Sequence, residues 1–345
     1  MQYACTMAGV DHKFTDVSCL AIDKAPGPVP FSLGFRSQAL PLKRVSARTK
    51  GRFIRPEAFK ECMSKLASRP GSGKNAAKAL ITEDIGETFS LIYAPFYMET
   101  DRIFDGVLKK PIGSLSLSEE ELDQLSNCRP EKETQILPGV CPGCGWDLEG
   151  QSDSLALVCR NCNTLWQPRG KQLGKIKFGS AKPDSPEDVL IPFWRISAKV
   201  EGLPLASRGD VIRLANLPGG PKSWQDGDEF YFWAPAFKIR PKVFLRAARQ
   251  LTIGQPNPVL EKTIRKNVHL PITLPATEAI QSIKIIVASM ARPLKDILPQ
   301  VAQAKIKAVS VTLVFMPFES HAHEFIHRNL NLALNTNVVK LSGNL

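Results

Sequence analysis

Four cysteines carry the strongest chemical signal in the chain. Cys141-Pro-Gly-Cys144 and Cys159-Arg-Asn-Cys162 are two C-x-x-C pairs separated by fourteen residues, a spacing that suits a four-thiolate zinc site. Two residues between thiolates let a tight turn aim both sulfurs at one ion. Gly145 and Asn163 follow the pairs, where a left-handed backbone must be tolerated. Four thiolates fill a tetrahedral ion and leave no position for water, so the site reads as structural and not hydrolytic. Two readings compete with zinc. One is an iron centre on the same ligands; the other is a redox C-x-x-C, which leaves the second pair unexplained. Four thiolates around one Zn²⁺ carry −2, so the formal charge falls from +12 to about +10, and Arg160, Arg169 and Lys171 are at hand to offset the local charge.

Weaker candidates follow. Cys5-Thr-Met-Ala8-Gly9 has the outline of a knuckle whose second sulfur is alanine, with His12 and Cys19 downstream. A site on Cys5, His12 and Cys19 lacks a fourth ligand, so these, like Cys62 and Cys128, read as small buried thiols. His321, His323 and His327 fall within seven residues together with Glu324, a set that reads either as solvated loop histidines or as a second metal or pH-sensitive site. The order H-E-x-x-H of zinc proteases is absent. Arg69-Pro-Gly-Ser-Gly73-Lys74-Asn75 has Ser68 where a phosphate-binding loop needs its first glycine and Asn75 where it needs a Mg²⁺-binding hydroxyl. It reads as a basic surface turn. No nucleophile elbow, dinucleotide fingerprint or cysteine nucleophile with a histidine partner is present, and no catalytic residue is assigned.

Two basic stretches suit an anionic partner. From Arg36 to Lys78 twelve Lys or Arg stand against Glu57 and Glu61. Lys242, Arg246 and Arg249 line one side of an expected helix whose other side is Phe244, Leu245, Ala248 and Leu251. Phe230, Tyr231, Phe232, Trp233 and Phe237 lie beside this cationic stripe, as aromatics do in single-strand grooves, although a strand with aromatics on both faces is more simply buried on both.

The elements that must position these groups are short. The chain has 345 residues, 43% of them apolar, enough for two domains and a small third module; twenty-seven prolines disfavour a coiled coil or helical bundle. Without a secretory signal or an apolar run of membrane-spanning length, a cytoplasmic setting and thiol or metal chemistry in place of disulfides are expected. Helices are expected from Arg55 or Pro56 to Ala67, from Ser118 to Ser126 with Ser118 and Glu121 as a capping box, from Pro241 to Leu251, from about Ala276 to Ala291, and from Pro293 to Gln303, with a strand from Ile306 to Pro317. Leu91–Tyr97, Val189–Trp194, Tyr231–Phe237 and Leu313–Phe318 are apolar runs interrupted by proline. Their recurrence suggests a repeated strand exit or edge, and with it two α+β lobes related by duplication. The expected division is an N-terminal lobe over 1–126, a zinc ribbon over 137–168 and a C-terminal lobe over 187–345, joined by linkers at 127–139 and 169–186.

Cys141-Pro-Gly-Cys144-Gly, Val158-Cys159-Arg-Asn-Cys162 and Leu190-Ile-Pro-Phe-Trp-Arg195, taken in that order, resemble a group of bacterial zinc-ribbon proteins with repeated Pro-Phe strand motifs. Some of these are labelled primosomal-helicase-like on the strength of the ribbon. The resemblance covers 89–345 loosely and is specific over about sixty residues around the ribbon. It implies a structural ribbon and no established activity. The helicase label does not transfer, because the phosphate-binding loop is not intact and the length leaves little room for two motor lobes. The reading is thus a non-enzymatic binding or scaffold subunit holding one structural Zn²⁺ and docking onto another protein or a multisubunit assembly. Its alternatives are a nucleic-acid-binding protein using 36–78 and 242–249, and a metalloenzyme using His321, His323 and His327.

Overall fold

The computed structural model describes residues 2–13, 45, 48–58, 61–62, 64–65, 79–86, 93–114, 118–126, 128, 136–151, 154–218, 229–264, 270–330 and 332–340. Helix and strand are mixed throughout, in several separate sheets. The chain forms two compact units, one of residues 1–13, 78–87 and 137–345, the other of 14–77 and 88–136. The stretch 1–126 is thus shared between units. The reason is strand pairing: β1 (Gln2–Thr6) and β2 (Gly9–Lys13) form a hairpin, and β3 (Ile81–Asp84) pairs antiparallel with β1. Tyr3, Cys5, Ile81 and Ile85 are buried in the larger unit's core, and Lys284 pairs with Glu83 at 3.4 Å.

In the smaller unit β4 (Phe96–Glu99), β5 (Arg102–Asp105) and β6 (Pro111–Ser114) form an antiparallel meander. Tyr97 and Phe104 stack across it at 5.2 Å, and the buried Asp105 carboxylate accepts the N–H of Val107 and Leu108. The helix Glu119–Ser126 has the expected capping box: the Glu121 N–H donates to Ser118 Oγ, and the Ser118 N–H to Glu121 Oε2. Of the helix expected over 55–67, Glu61–Cys62 and Ser64–Lys65 are helical and Arg55–Ala58 are not. The remainder, the 69–75 turn, Cys19 and most of the basic 36–78 segment lie outside the described residues.

β7 (Leu157–Cys159), β8 (Thr164–Arg169) and β9 (Gln172–Ile176) form a meander that carries Cys159 at the end of β7 and Cys162 in the following turn, with Cys141 and Cys144 in a turn before it. The linker expected over 169–186 is therefore largely strand. Gly170, at φ 59°, turns the chain between β8 and β9, and Phe178–Ala181 forms β10. The alternation that builds β9 is hidden in the sequence because Gly174 and Lys175 interrupt Leu173 and Ile176.

The main sheet has the order β12 (Phe232–Pro235), β11 (Val189–Glu201), β14 (Lys305–Ser320), β10, β13 (Leu260–Glu261), with β15 (Glu324–His327) and β16 (Leu332–Asn335) continuing from β14. Three of the four proline-bearing runs are thus the neighbours β12, β11 and β14 of one sheet; the fourth leads into β4. Each proline sits where its missing donor costs no ladder bond. Pro192 accepts from the Ala236 N–H just past the β11–β12 pairing, whose last pair is Phe193 with Pro235. Pro317 falls on β14 between the end of its pairing with β10 at Phe315 and the start of its pairing with β15 at Glu319. Pro235 lies on the edge strand, two residues after Trp233, whose N–H already points off the ladder to Thr252 Oγ1 at 3.0 Å.

Helices cover this sheet. Arg208–Leu214 has a Ser207/Asp210 capping box. Pro241–Gly254 starts with proline at its first turn, buries Phe244, Ala247, Ala248 and Leu251, and ends at the left-handed Gln255. The single helix expected over 276–291 is two, Ala276–Gln281 and Ile283–Met290, interrupted at Ser282, whose hydroxyl bonds the Ala279 carbonyl. Leu294–Gln303 then leads into β14. The core packs around Phe193, which stacks on Phe318 at 5.9 Å and meets Phe237 edge-on at 6.0 Å. Among the described residues no helix is long and apolar enough to cross a membrane.

Candidate metal centre

Two turns bring the sulfurs together. Cys141 N–H donates to the Trp146 carbonyl and Gly145 N–H to the Cys141 carbonyl, folding the first C-x-x-C into a knuckle closed by Gly145 at φ 75°. In the second pair Cys159 ends β7 and Cys162 lies in the turn before β8, with Asn163 at φ 50° at the corner. The left-handed positions expected at both residues are therefore present. Ligand atoms of Cys141, Cys144, Cys159 and Cys162 all lie within 4.8 Å of one another. Cys141 and Cys162 are 3.6 Å apart and Cys144 and Cys159 3.4 Å. Sulfurs about 2.3 Å from a tetrahedral ion are themselves about 3.8 Å apart, whereas a disulfide needs about 2.05 Å. The donor set and its spacing fit a metal ion.

The local electrostatics call for a cation. Burial raises the Cys141 thiol, but the N–H groups of Gly143 and Cys144 and the Thr164 hydroxyl outweigh it and hold the thiol at about 6. The backbone of Trp146 and the Asn161 side chain likewise lower Cys144. The Thr164 hydroxyl favours the Cys162 thiolate, yet burial and the three other sulfurs push it up to about 11. Neighbouring thiolates resist joint ionisation, and a divalent cation relieves that repulsion.

Thr164 is a residue that motif spacing missed. Its hydroxyl lies 3.0 Å from Cys162 Sγ and 3.8 Å from Cys141 Sγ while accepting the Trp166 Nε1 proton at 2.8 Å. Because the indole N–H fills an acceptor position, the hydroxyl proton is left to point at sulfur. The signal was the period-2 relation of Thr164 to Trp166, readable once β8 is known to start at 164. Arg160, one of the candidate charge-balancing cations, instead bonds Glu149 Oε2 at 3.0 Å and the Ile264 carbonyl. With Leu155 N–H on the Ile272 carbonyl, the latter contact ties this region to Ile264 and Ile272.

The other candidates do not assemble. The four-cysteine group is the one convergent His/Cys/Asp/Glu set among the described residues. His321 and His323 are exposed at the β14–β15 turn, His321 bonding Glu319 at 3.3 Å. His327 is buried on β15, its Nδ1 accepting the Asn329 N–H and its ring edge-on to Phe318. Three histidines close in sequence thus point to different environments. Cys5 is buried and its thiol pushed up to about 12 by desolvation, while His12 stands opposite Tyr3 across the hairpin. Phe230, Phe232, Trp233 and Phe237 are buried and offer no stacking surface. Of the cationic stripe, Lys242 is exposed, Arg246 donates to the Ala333 carbonyl at 2.8 Å, and Arg249 lines a hollow with Leu217, Gly254, Met290 and Arg292. Three helices end at that hollow. Arg292 of that lining donates to the Ala291 carbonyl, and Arg208 to the Gly254 carbonyl, so each of these two cations satisfies an acceptor at a helix C-terminus.

A scan against protein-family models and searches of curated proteins and of solved structures return no match to this chain.

Proposed function

We propose that this chain is a non-enzymatic zinc-ribbon protein that holds one structural Zn²⁺ on Cys141, Cys144, Cys159 and Cys162 and uses the ribbon to dock a partner protein in a larger assembly. The observation that carries the reading is the mutual approach of the four sulfurs within 4.8 Å, which saturates a tetrahedral ion and leaves it no position for substrate. The same knuckle supports docking. Trp146 is 59% exposed and Val140 44%, on a backbone held by the Cys141–Trp146 and Gly145–Cys141 hydrogen bonds. A large aromatic on a rigid turn loses little entropy when covered. Thiolate ligands persist in a reducing compartment, and the cytoplasm is the setting we infer. Elemental analysis of the purified chain tests the metal, with one zinc per chain expected; iron, or no metal after expression in zinc-replete medium, overturns it. Docking is tested by comparing partner retention between the tagged full chain and its Trp146→Ala variant. Nuclease-resistant retention lost in the variant at unchanged zinc content supports it, and equal retention refutes it.

A further inference from the structure

The face of the main sheet formed by β11 and β14 changes character along its length. Residues 193, 195, 197, 199 and 201 of β11 share a side, and the register sets them opposite 314, 312, 310, 307 and 305 of β14. At the inner end this side is Phe193 and Val314, both buried. At the outer end it is Ser197, Lys199, Glu201, Lys305, Lys307 and Ser310, of which all but Ser197 are exposed. A β-bulge between Ser197 and Ala198 leaves Val309 as the extra residue, 60% exposed on the same stretch. The opposite side, Ala198, Val200, Ile306 and Ala308, packs on the core. Pairing with β12 ends at Ile196, and pairing with β10 begins only at Leu313. The outer end is therefore a two-stranded arm with one apolar side packed and one cationic side open.

Lys199 and Lys307 have no acid opposite them on their own sheet. Lys199 and Lys307 are directly opposite each other, an arrangement that destabilises a cross-strand pair, and neither they nor Lys305 make an ion pair among the described residues. Arg195 completes the row. Its guanidinium lies 4.6 Å from the centroid of the half-buried Tyr231 ring, and its Nε is buried without a hydrogen-bond partner. The acids on this stretch are Glu201, opposite Lys305, and Glu229, which accepts from the Tyr231 hydroxyl.

We infer that this arm binds single-stranded nucleic acid, with Lys199, Lys305 and Lys307 on successive phosphates and the Arg195–Tyr231 pair as the platform for a base. Spacing supports a chain of charges over a single anion: Lys305 and Lys307 are two strand residues apart, about 7 Å, and Lys199 is about 5 Å across. A cationic face bearing one guanidinium and one aromatic suits an unpaired strand, whose bases are free to stack. A lipid surface would require apolar anchors, and Val309 is the one exposed apolar side chain on this face. This surface is distinct from the 242–249 stripe and from the 36–78 segment, and it does not depend on the zinc reading.

The test is fluorescence anisotropy of the full-length, metal-loaded chain with a labelled thirty-nucleotide oligothymidine across a salt series, beside the triple variant Lys199→Gln, Lys305→Gln, Lys307→Gln. Loss of three phosphate contacts on a single strand should reduce the slope of log affinity against log salt by about 2 and weaken binding at least tenfold at low salt. Tyr231→Leu should weaken binding with the salt slope unchanged, and Lys242→Gln should do neither. Circular dichroism and metal content equal to the parent's establish that the variants are folded. Undiminished binding by the triple variant overturns the inference, as do an absence of binding by the parent, equal affinity for duplex DNA, and a preference for phosphatidylserine vesicles over the oligonucleotide.

Discussion

The Thr164 hydroxyl links the sulfurs to the hydrophobic side of the ribbon, since it accepts from Trp166 while its proton faces Cys162 and Cys141. Removing it withdraws a donor from two thiolates and orphans the indole N–H. Outer-shell partners of this kind are worth about 10–100-fold in metal affinity. Thr164→Val is therefore expected to lose its bound metal ion to a chromophoric chelator at about 10–100-fold lower chelator concentration, and Thr164→Ser to behave as the parent. His327 supplies a second prediction. Burial lowers its pKa, against a smaller opposing pull from Asp184. A group whose folded pKa is depressed is protonated more readily in the unfolded chain, so stability is fully present above the unfolded value of about 6.5 and lost as pH falls through the lower folded one. Urea midpoints should drop between pH 7 and pH 5, and the drop should shrink in His327→Gln, whose amide oxygen can still accept from Asn329.

The prolines of β11, β12 and β14 make an argument about elements. Pro317 lies where β14 has left β10 and has not yet met β15, so Pro317→Val should change stability by no more than about 1 kcal/mol. Val314 is one residue out of phase with Phe315 and Leu313, and the Leu313 N–H points toward β10, onto the Lys177 carbonyl. The Val314 N–H therefore faces β11, and Val314→Pro should cost about 3 kcal/mol or more, read from urea denaturation. Equal costs at the two positions would mean that proline placement does not follow the ladder. This phase relation was partly legible. The sequence shows apolar runs with proline at a recurrent place, and it shows the capping box at Ser118 and Glu121 because a single serine-to-glutamate spacing of three suffices. It does not show that three of the runs are adjacent, since strand neighbours are chosen by side-chain packing between distant segments. Cys141 to Cys162 were legible because metal geometry ties ligand spacing to local turns, whereas the histidines left two readings open because nearness along the chain does not say which of them lie in a turn and which on a buried strand face: His321 and His323 are exposed at the β14–β15 turn and His327 is buried. β9 was missed because Gly174 and Lys175 break its alternation.

At the scale of the whole molecule, chain order and spatial order part company. The larger unit closes only when residues 1–13 and 78–87 join 137–345, and β1 is the middle strand of its sheet. Tyr3 and Cys5 are each 1% exposed, Ile81 4% and Ile85 8%, and all four belong to the core of which Ile283, Ile286 and Val287 are part. A chain shortened to 137–345 keeps Cys141, Cys144, Cys159 and Cys162 and the whole main sheet but uncovers that side of the core. Burial of each large apolar side chain contributes roughly 1.5–3 kcal/mol, so losing Tyr3, Ile81 and Ile85 with their strand pairing should remove about 5 kcal/mol. For a unit of this size that is roughly 10–20 °C in Tm. Calorimetry of the shortened chain beside the parent, both carrying the same metal content, reads the difference directly. An unchanged Tm would mean that the N-terminal strands are an appendage and that 137–345 is the folding unit, whereas restoration of Tm by a separately supplied 1–87 peptide would show that the interleaved strands complete the core without covalent continuity.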